Sequence, residues 1–233
     1  MDPSLDTLLG AELAALEAVS QRRRLRALSC ADGRLHDSSG QVLIDASSND
    51  YLGLSQHPLL KQRAAEWALR HGAGAPASRL VTGTREITLA VEERLAAFKG
   101  REAALLFSSG FQANATVLPA LARVGAGDTA IFSDQLNHAS MIHGARAARC
   151  QVAVFRHNDL DHLDTLLGQH HGRKLIATES VFSMDGDRAD LAGLVRVAEH
   201  HGALLYVDEA HATGILGPGG RGLAAEVEGV DVV

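Results

Sequence analysis

With 233 residues, 46% of them hydrophobic and 21% charged, and a net charge of −6, the chain reads as a soluble globular protein of one or two domains. Its acids and bases are interspersed, which leaves no electrostatic footprint for nucleic acid or an anionic membrane. Cys30 and Cys150 lie far apart with no C-x-x-C pair, which argues against a disulfide framework or a zinc–thiolate site. The acidic start "MDPSLDTLLGAELAALEAV" lacks the pattern of a signal peptide, and no apolar run reaches membrane-span length, so a cytoplasmic location is expected.

In chain order, Leu5, Leu8, Leu9, Leu13 and Leu16 recur at helical spacing and predict a helix over 4–28. The basic run Arg22, Arg23, Arg24 and Arg26 would be a solvated face of it. Residues 30–54, "CADGRLHDSSGQVLIDASSNDYLGL", read as a hairpin-like segment with turns at Asp32-Gly33 and Ser39-Gly40. Pro58 opens a helix to about 71, residues 72–76 form a loop, and a further helix covers 87–98. From there apolar runs at 103–107, 129–133, 152–155, 175–180 and 203–209 alternate with helical periodicity at 112–123, 139–148, 159–167 and 189–200. That alternation predicts βαβ units, hence a mostly parallel sheet flanked by helices. The domain division expected is an N-terminal helix and hairpin-like segment over 1–45 and a large domain over 46–233.

Ligands of such sheets sit at the carboxyl ends of the strands. There the chain places Ser108-Ser109-Gly110-Phe111-Gln112 at a helix start, His138 after the second run, Ser183 after "LIATES", and Asp208 and His211 after "LLYV". A small-residue turn at a helix N-terminus favours a phosphate, though by itself it is better read as an ordinary N-cap turn. His138 and Asp208 taken singly are ordinary structural residues. Together they match pyridoxal phosphate, whose phosphate, ring face, pyridinium nitrogen and phenolic oxygen each need one such partner.

The segments "SSNDYLGLSQHP" (47–58), "SSGFQAN" (108–114), "LNHASMIHG" (136–144), "RHND" (156–159), "ESVFSMDGD" (179–187) and "VDEAHATGILGPGGRG" (207–222) resemble the α-oxoamine synthases, pyridoxal-phosphate enzymes of fold type I. The resemblance runs from about residue 45 to the last and is closest to the biotin-pathway branch. It implies that Gly110 and Phe111 hold the phosphate and that His138 stacks on the ring. It further implies that Ser183 and His211 reach the phenolic oxygen, that Asp208 pairs with the pyridinium nitrogen, and that Glu179 supports the site. His138, Asp208 and His211 would be the catalytic set, and Arg23 with His138 would contact substrate. The implied reaction is decarboxylative condensation of L-alanine with pimeloyl-CoA or a pimeloyl-carrier protein, giving 8-amino-7-oxononanoate, in a homodimer. Glycine-using members of the family are the alternative.

Two positions depart from the family pattern: Thr88 where a histidine is usual, and His143 where an aspartate is commoner. The family also holds its cofactor on a lysine that follows a strand beyond "DEAH". The chain's lysines, Lys61, Lys99 and Lys174, are expected on a surface helix, at a helix end and before a strand. The chain ends on "VDVV", which resembles the start of the strand in question, so it is expected to be the N-terminal portion of a longer enzyme and inactive alone. "VDEAH" also matches DEAH-type helicases, but no G-x-x-x-x-G-K-[ST] loop precedes it. A zinc site built on His170-His171 or His200-His201 is disfavoured, because adjacent residues on a helix face apart.

Overall fold

The computed structural model describes residues 4–31, 34–124 and 127–233. They divide into two compact units, Met1–Arg63 and Ala64–Val233.

In the first unit, helix α1 (Leu5–Ala18) starts at Ser4, whose hydroxyl accepts the Thr7 N–H at 3.3 Å. The helix stops well short of residue 28. Ser20 takes a left-handed φ of 56°, and the Gln21 N–H bonds back to the Leu16 carbonyl. Arg22 and Arg24 then turn back onto Glu17 at 3.2 and 3.0 Å, which relieves the like-charge crowding a continuing helix would impose. The hairpin-like segment is a three-stranded antiparallel meander of β1 (Ser29–Ala31), β2 (Arg34–His36) and β3 (Val42–Leu43). The Asp32-Gly33 turn lies outside the described residues. At the second turn Asp37 accepts the Ser39 and Gln41 N–H groups at 2.9 Å each, and Gly40 takes φ 83°. Helix α2 (Pro58–His71) opens on its proline, as the sequence predicts.

The second unit continues through α3 (Glu86–Lys99), α4 (Gly110–Arg123), β4 (Thr129–Asp134), α5 (Ala139–Ala147), β5 (Gln151–Phe155), α6 (Leu160–Gly168), β6 (Arg173–Glu179), α7 (Leu191–His201) and β7 (Leu204–Asp208). Its sheet is wholly parallel, in the order β5-β4-β6-β7. Successive side chains of a strand point to opposite faces. Phe132, Ile176, Leu205 and Val207 therefore pack with α6 and α7 on one face, through Leu163, Leu167, Leu194 and Ala198. Ile131, Leu175, Ala177 and Tyr206 pack with α4 and α5 on the other, through Leu118, Met141 and Ala145. Helices thus cover both faces, as expected.

One expected strand is missing. Residues 103–107 form no ladder, and Leu105 and Leu106 are 64% and 42% exposed. Leu106 satisfies its backbone with side chains instead. Its N–H donates to Glu92 Oε1 at 2.6 Å, and its carbonyl accepts from Arg79 at 2.8 Å. Beyond β7, the Val207 N–H donates to the Val232 carbonyl at 2.9 Å, and Val232 bridges Tyr206 in parallel, so "VDVV" does begin along that strand.

Candidate active site

The strand order sets the position of the site. From β4 the chain steps to β5 on one side, then returns to β6 on the other and continues to β7. In open parallel sheets such a reversal, here at the carboxyl ends of β4 and β6, is where ligands bind. His138, Glu179 and Asp208 all lie at that edge, beside the start of α4.

Asp208 ends β7, half-buried. One carboxylate oxygen accepts the Ala210 N–H at 2.8 Å and the other accepts Asn114 Nδ2 at 2.7 Å. Asn114, buried in the first turns of α4, also accepts from the Tyr206 hydroxyl and donates to Ser140 Oγ at 2.9 Å. Ser140 Oγ is 2.7 Å from His138 Nδ1, which also accepts the Ser140 N–H at 3.2 Å. A nitrogen that accepts an N–H carries no proton, so the His138 proton is on Nε2. One amide therefore ties the Asp208 carboxylate to the His138 ring through a single hydroxyl. The α4–α5 contact permits this, because a Cβ on Gly144 would collide with the Asn114 carbonyl. Burial, with Asp208 nearby, pushes the Tyr206 phenol well above its ordinary range, so it stays a hydrogen-bond donor.

Glu179 ends β6, 2% exposed, and its carboxylate accepts the His138 N–H. Burial raises its pKa to about 7; the His138 and Ser183 N–H groups oppose the rise, and the Asp208 charge adds to it. Helix α4 starts at Gly110 with Ser109 as its cap, accepting the Gln112 N–H at 3.1 Å. The N–H groups of Gly110 and Phe111 have no acceptor within the helix by position. The Phe111 ring is half-exposed and lies 5.6 Å from the ring of His143. Ser183 is exposed and His211 half-buried. Arg23 belongs to the other unit, exposed in the stretch after α1.

Three residues of this network were not singled out from the sequence: Asn114, Ser140 and Tyr206. Asn114 lies one turn into α4 from Gly110, and that i, i+4 spacing was the available signal. The lysines stand close to expectation. Lys61 is on α2, and Lys174 is the second residue of β6 rather than before it, donating to the His201 carbonyl at 3.3 Å. Lys99 ends α3, and its ammonium is held by Glu209, Arg221 and Thr213 at 2.6, 2.7 and 3.1 Å. His200 and His201 do converge, against expectation. Their rings are 4.8 Å apart, and His201 bonds Asp164 at 2.8 Å. His201 is the last residue of α7, and its bond to Asp164 of α6 turns its ring to the side where it meets His200.

The aminotransferase class I and II family model matches residues 41–232. The 8-amino-7-oxononanoate synthase of Gluconacetobacter diazotrophicus is 56% identical over 228 residues, 94% of this chain and 57% of that protein. The chain therefore spans little more than half the length of the curated relatives it matches. Among solved structures, serine palmitoyltransferase from S. paucimobilis with a bound PLP–myriocin aldimine superposes with a TM-score of 0.86 at 30% identity, covering 99% of this chain and 59% of that one. The 8-amino-7-oxononanoate synthase of Francisella tularensis superposes with a TM-score of 0.64 at 31% identity, covering 78% and 50%.

Proposed function

The chain belongs to the aminotransferase class I and II family, on its α-oxoamine synthase side, and from that premise we propose that it forms the cofactor-holding part of a pyridoxal-phosphate enzyme. The proposed reaction condenses L-alanine with pimeloyl-CoA or a pimeloyl-carrier protein, with loss of CO2, to give 8-amino-7-oxononanoate for biotin synthesis. The observation that carries this reading is the Asp208 carboxylate, anchored by Asn114 at the sheet edge beside the open N-terminus of α4. In keeping with the family, residues 46–233 make up the large domain, two copies form a homodimer, and the assembly works in the cytoplasm.

The residues fit the cofactor. Asp208 spends one oxygen on each of two N–H groups, leaving lone pairs for a ring N–H. Nothing stands within 4 Å of a Cβ built on Gly110, so a phosphate can approach the helix N-terminus there. Bound at this site, pyridoxal phosphate supplies an electron sink for the α-carbon of the amino acid.

The chain's own residues prepare that chemistry. Asp208 holds a proton on the ring nitrogen. Asn114 fixes the carboxylate and, through Ser140, the His138 ring that covers the cofactor face. Glu179 fixes the His138 backbone. Gly110 and Phe111 offer N–H groups to phosphate, Ser183 and His211 serve the phenolic oxygen, and Arg23 meets the substrate carboxylate.

The test is titration of this chain with pyridoxal phosphate, followed by absorbance, and an assay of the complete enzyme. Alanine, glycine and serine are offered against pimeloyl, acetyl, succinyl and palmitoyl thioesters. Saturable binding and a preference for alanine with the pimeloyl thioester are expected. Preference for glycine or serine would move the chain to another branch.

A further inference from the structure

The strand ends carry a second constellation that takes no part in the network above. His157 follows β5. Its Nδ1 lies 2.9 Å from Asp134 Oδ1, at the end of β4, and its Nε2 lies 2.8 Å from Asp187 Oδ2, in the loop after β6. Asp134 is 1% exposed, His157 23% and Asp187 39%. Asp134 also accepts the Leu136 N–H at 2.8 Å and the Asn158 N–H at 3.1 Å, so both its oxygens act as acceptors. A ring nitrogen facing such an oxygen must donate. At the other nitrogen the Asn158 amide is farther, 3.3 Å, and donates to Asp187 and the Arg188 carbonyl. An acceptor at each ring nitrogen is the arrangement that suits an imidazolium, in which both nitrogens donate.

The connections matter because of what each carboxylate carries. Asp134 shapes the turn 134–137 that delivers His138. Asp187 belongs to the loop that bears Ser183, and that loop closes on itself through Phe182 N–H to Asp187 O at 3.0 Å and Gly186 N–H to Phe182 O at 2.9 Å. The Phe182 ring meets the His157 ring edge-on at 4.4 Å. The second oxygen of Asp187 is buried without a partner, so His157 and Asn158 are that carboxylate's anchors.

We propose that His157 is a positioning residue, a doubly bonded imidazolium that clamps the Ser183 loop to the His138 turn. The clamp rests on the proposed function for its meaning, though not for its detection. The charged groups facing the ring are Asp134 from β4 and Asp187 from the loop; Asn158 and Phe182 complete its surroundings, and the Arg156 guanidinium is turned away to Asp159. Burial disfavours the charged ring, but the bonds and charges of Asp134 and Asp187 outweigh it and raise the His157 pKa above 6.5.

The experiment uses this chain. Nitrogen-15 NMR of the His157 ring should show both nitrogens protonated at pH 7, with the proton lost at a lower pH in Asp187→Asn. Hydrogen exchange should quicken about tenfold at Leu136, Phe182 and Gly186 in Asp187→Asn, or in the parent as the ring deprotonates, while the core amides of Ile131, Ile176 and Leu205 stay unchanged. Pyridoxal phosphate should bind about tenfold more weakly to Asp187→Asn at fixed pH. A neutral ring at pH 7, exchange that rises in the core and loops alike, or equal cofactor affinity overturns the clamp. If the parent chain binds no pyridoxal phosphate, the proposed function fails instead, and the ring and exchange measurements still report the clamp.

Discussion

Helix α1 and the sheet of the second unit are both rich in aliphatic residues, yet they bury them very differently. Leu5, Leu8, Leu9 and Leu13 of α1 are 69%, 53%, 53% and 43% exposed, and no described residue of that helix is buried. Ile131, Ile176, Leu205 and Val207 are all at 0%. Leucines at helical spacing are enough for a helix with a serine cap. Burial needs a second surface, and the sheet has helices on both faces. The lesson for the site is that the rigid edge, not the leucine-rich first unit, holds the polar network.

The largest expected effect sharpens that contrast. Leu205→Ala should cost about 2–5 kcal/mol and lower the melting temperature strongly, whereas Leu9→Ala should change it little. Calorimetry of the two variants decides. Equal losses would mean that α1 is covered in solution.

Charge follows the same contrast. In the complete enzyme, Asp208→Asn should lower turnover about 10²–10³-fold, the usual cost of losing a fixed charge at a reacting centre. Glu17→Gln, which releases the exposed Arg22 and Arg24, should leave melting unchanged. Near-normal turnover of Asp208→Asn would remove that residue from the mechanism.

A smaller effect concerns Glu179. Its carboxyl is raised from 4.5 to about 7 in the folded chain, so between those values the folded state binds more protons than the unfolded one. Stability must then fall as pH rises from about 4.5 to 7, by up to about 3 kcal/mol for this one group. Glu179→Gln keeps an oxygen for the His138 N–H and should remove that slope. Urea unfolding at pH 5 and pH 8 checks it, and parallel pH slopes in the two proteins would show that the group is ionised throughout.

The smallest expected effect is none. Lys99 is held by three oxygens, Lys174 sits at the opening of β6, and Lys61 is on the exposed α2. Pyridoxal phosphate followed by borohydride should therefore leave no stoichiometric adduct on this chain. Peptide mass spectrometry reads the outcome, and full modification of any one of the three lysines would reassign the covalent anchor.

The alternation of apolar runs with helical periodicity was enough to read the parallel sheet, because periods of 2 and 3.6 are written in the chain itself. The helix start after the small-residue turn at Ser108–Gly110 and the acid that ends the "LLYV" strand could be placed for the same local reason. The end of α1 could not be read, since it depends on Ser20 turning left-handed and on arginines that fold back to Glu17. Nor could the absence of a 103–107 strand, because a strand exists only where a neighbour offers a ladder, and here the Leu106 backbone bonds to the Glu92 and Arg79 side chains instead. The roles of Asn114, Ser140 and Tyr206 were hidden for the same reason as the clamp at His157. Each joins residues that lie 26 to 94 positions apart or on different strands, and only the close approach of α4 to α5 and the strand order β5-β4-β6-β7 bring them within hydrogen-bond reach.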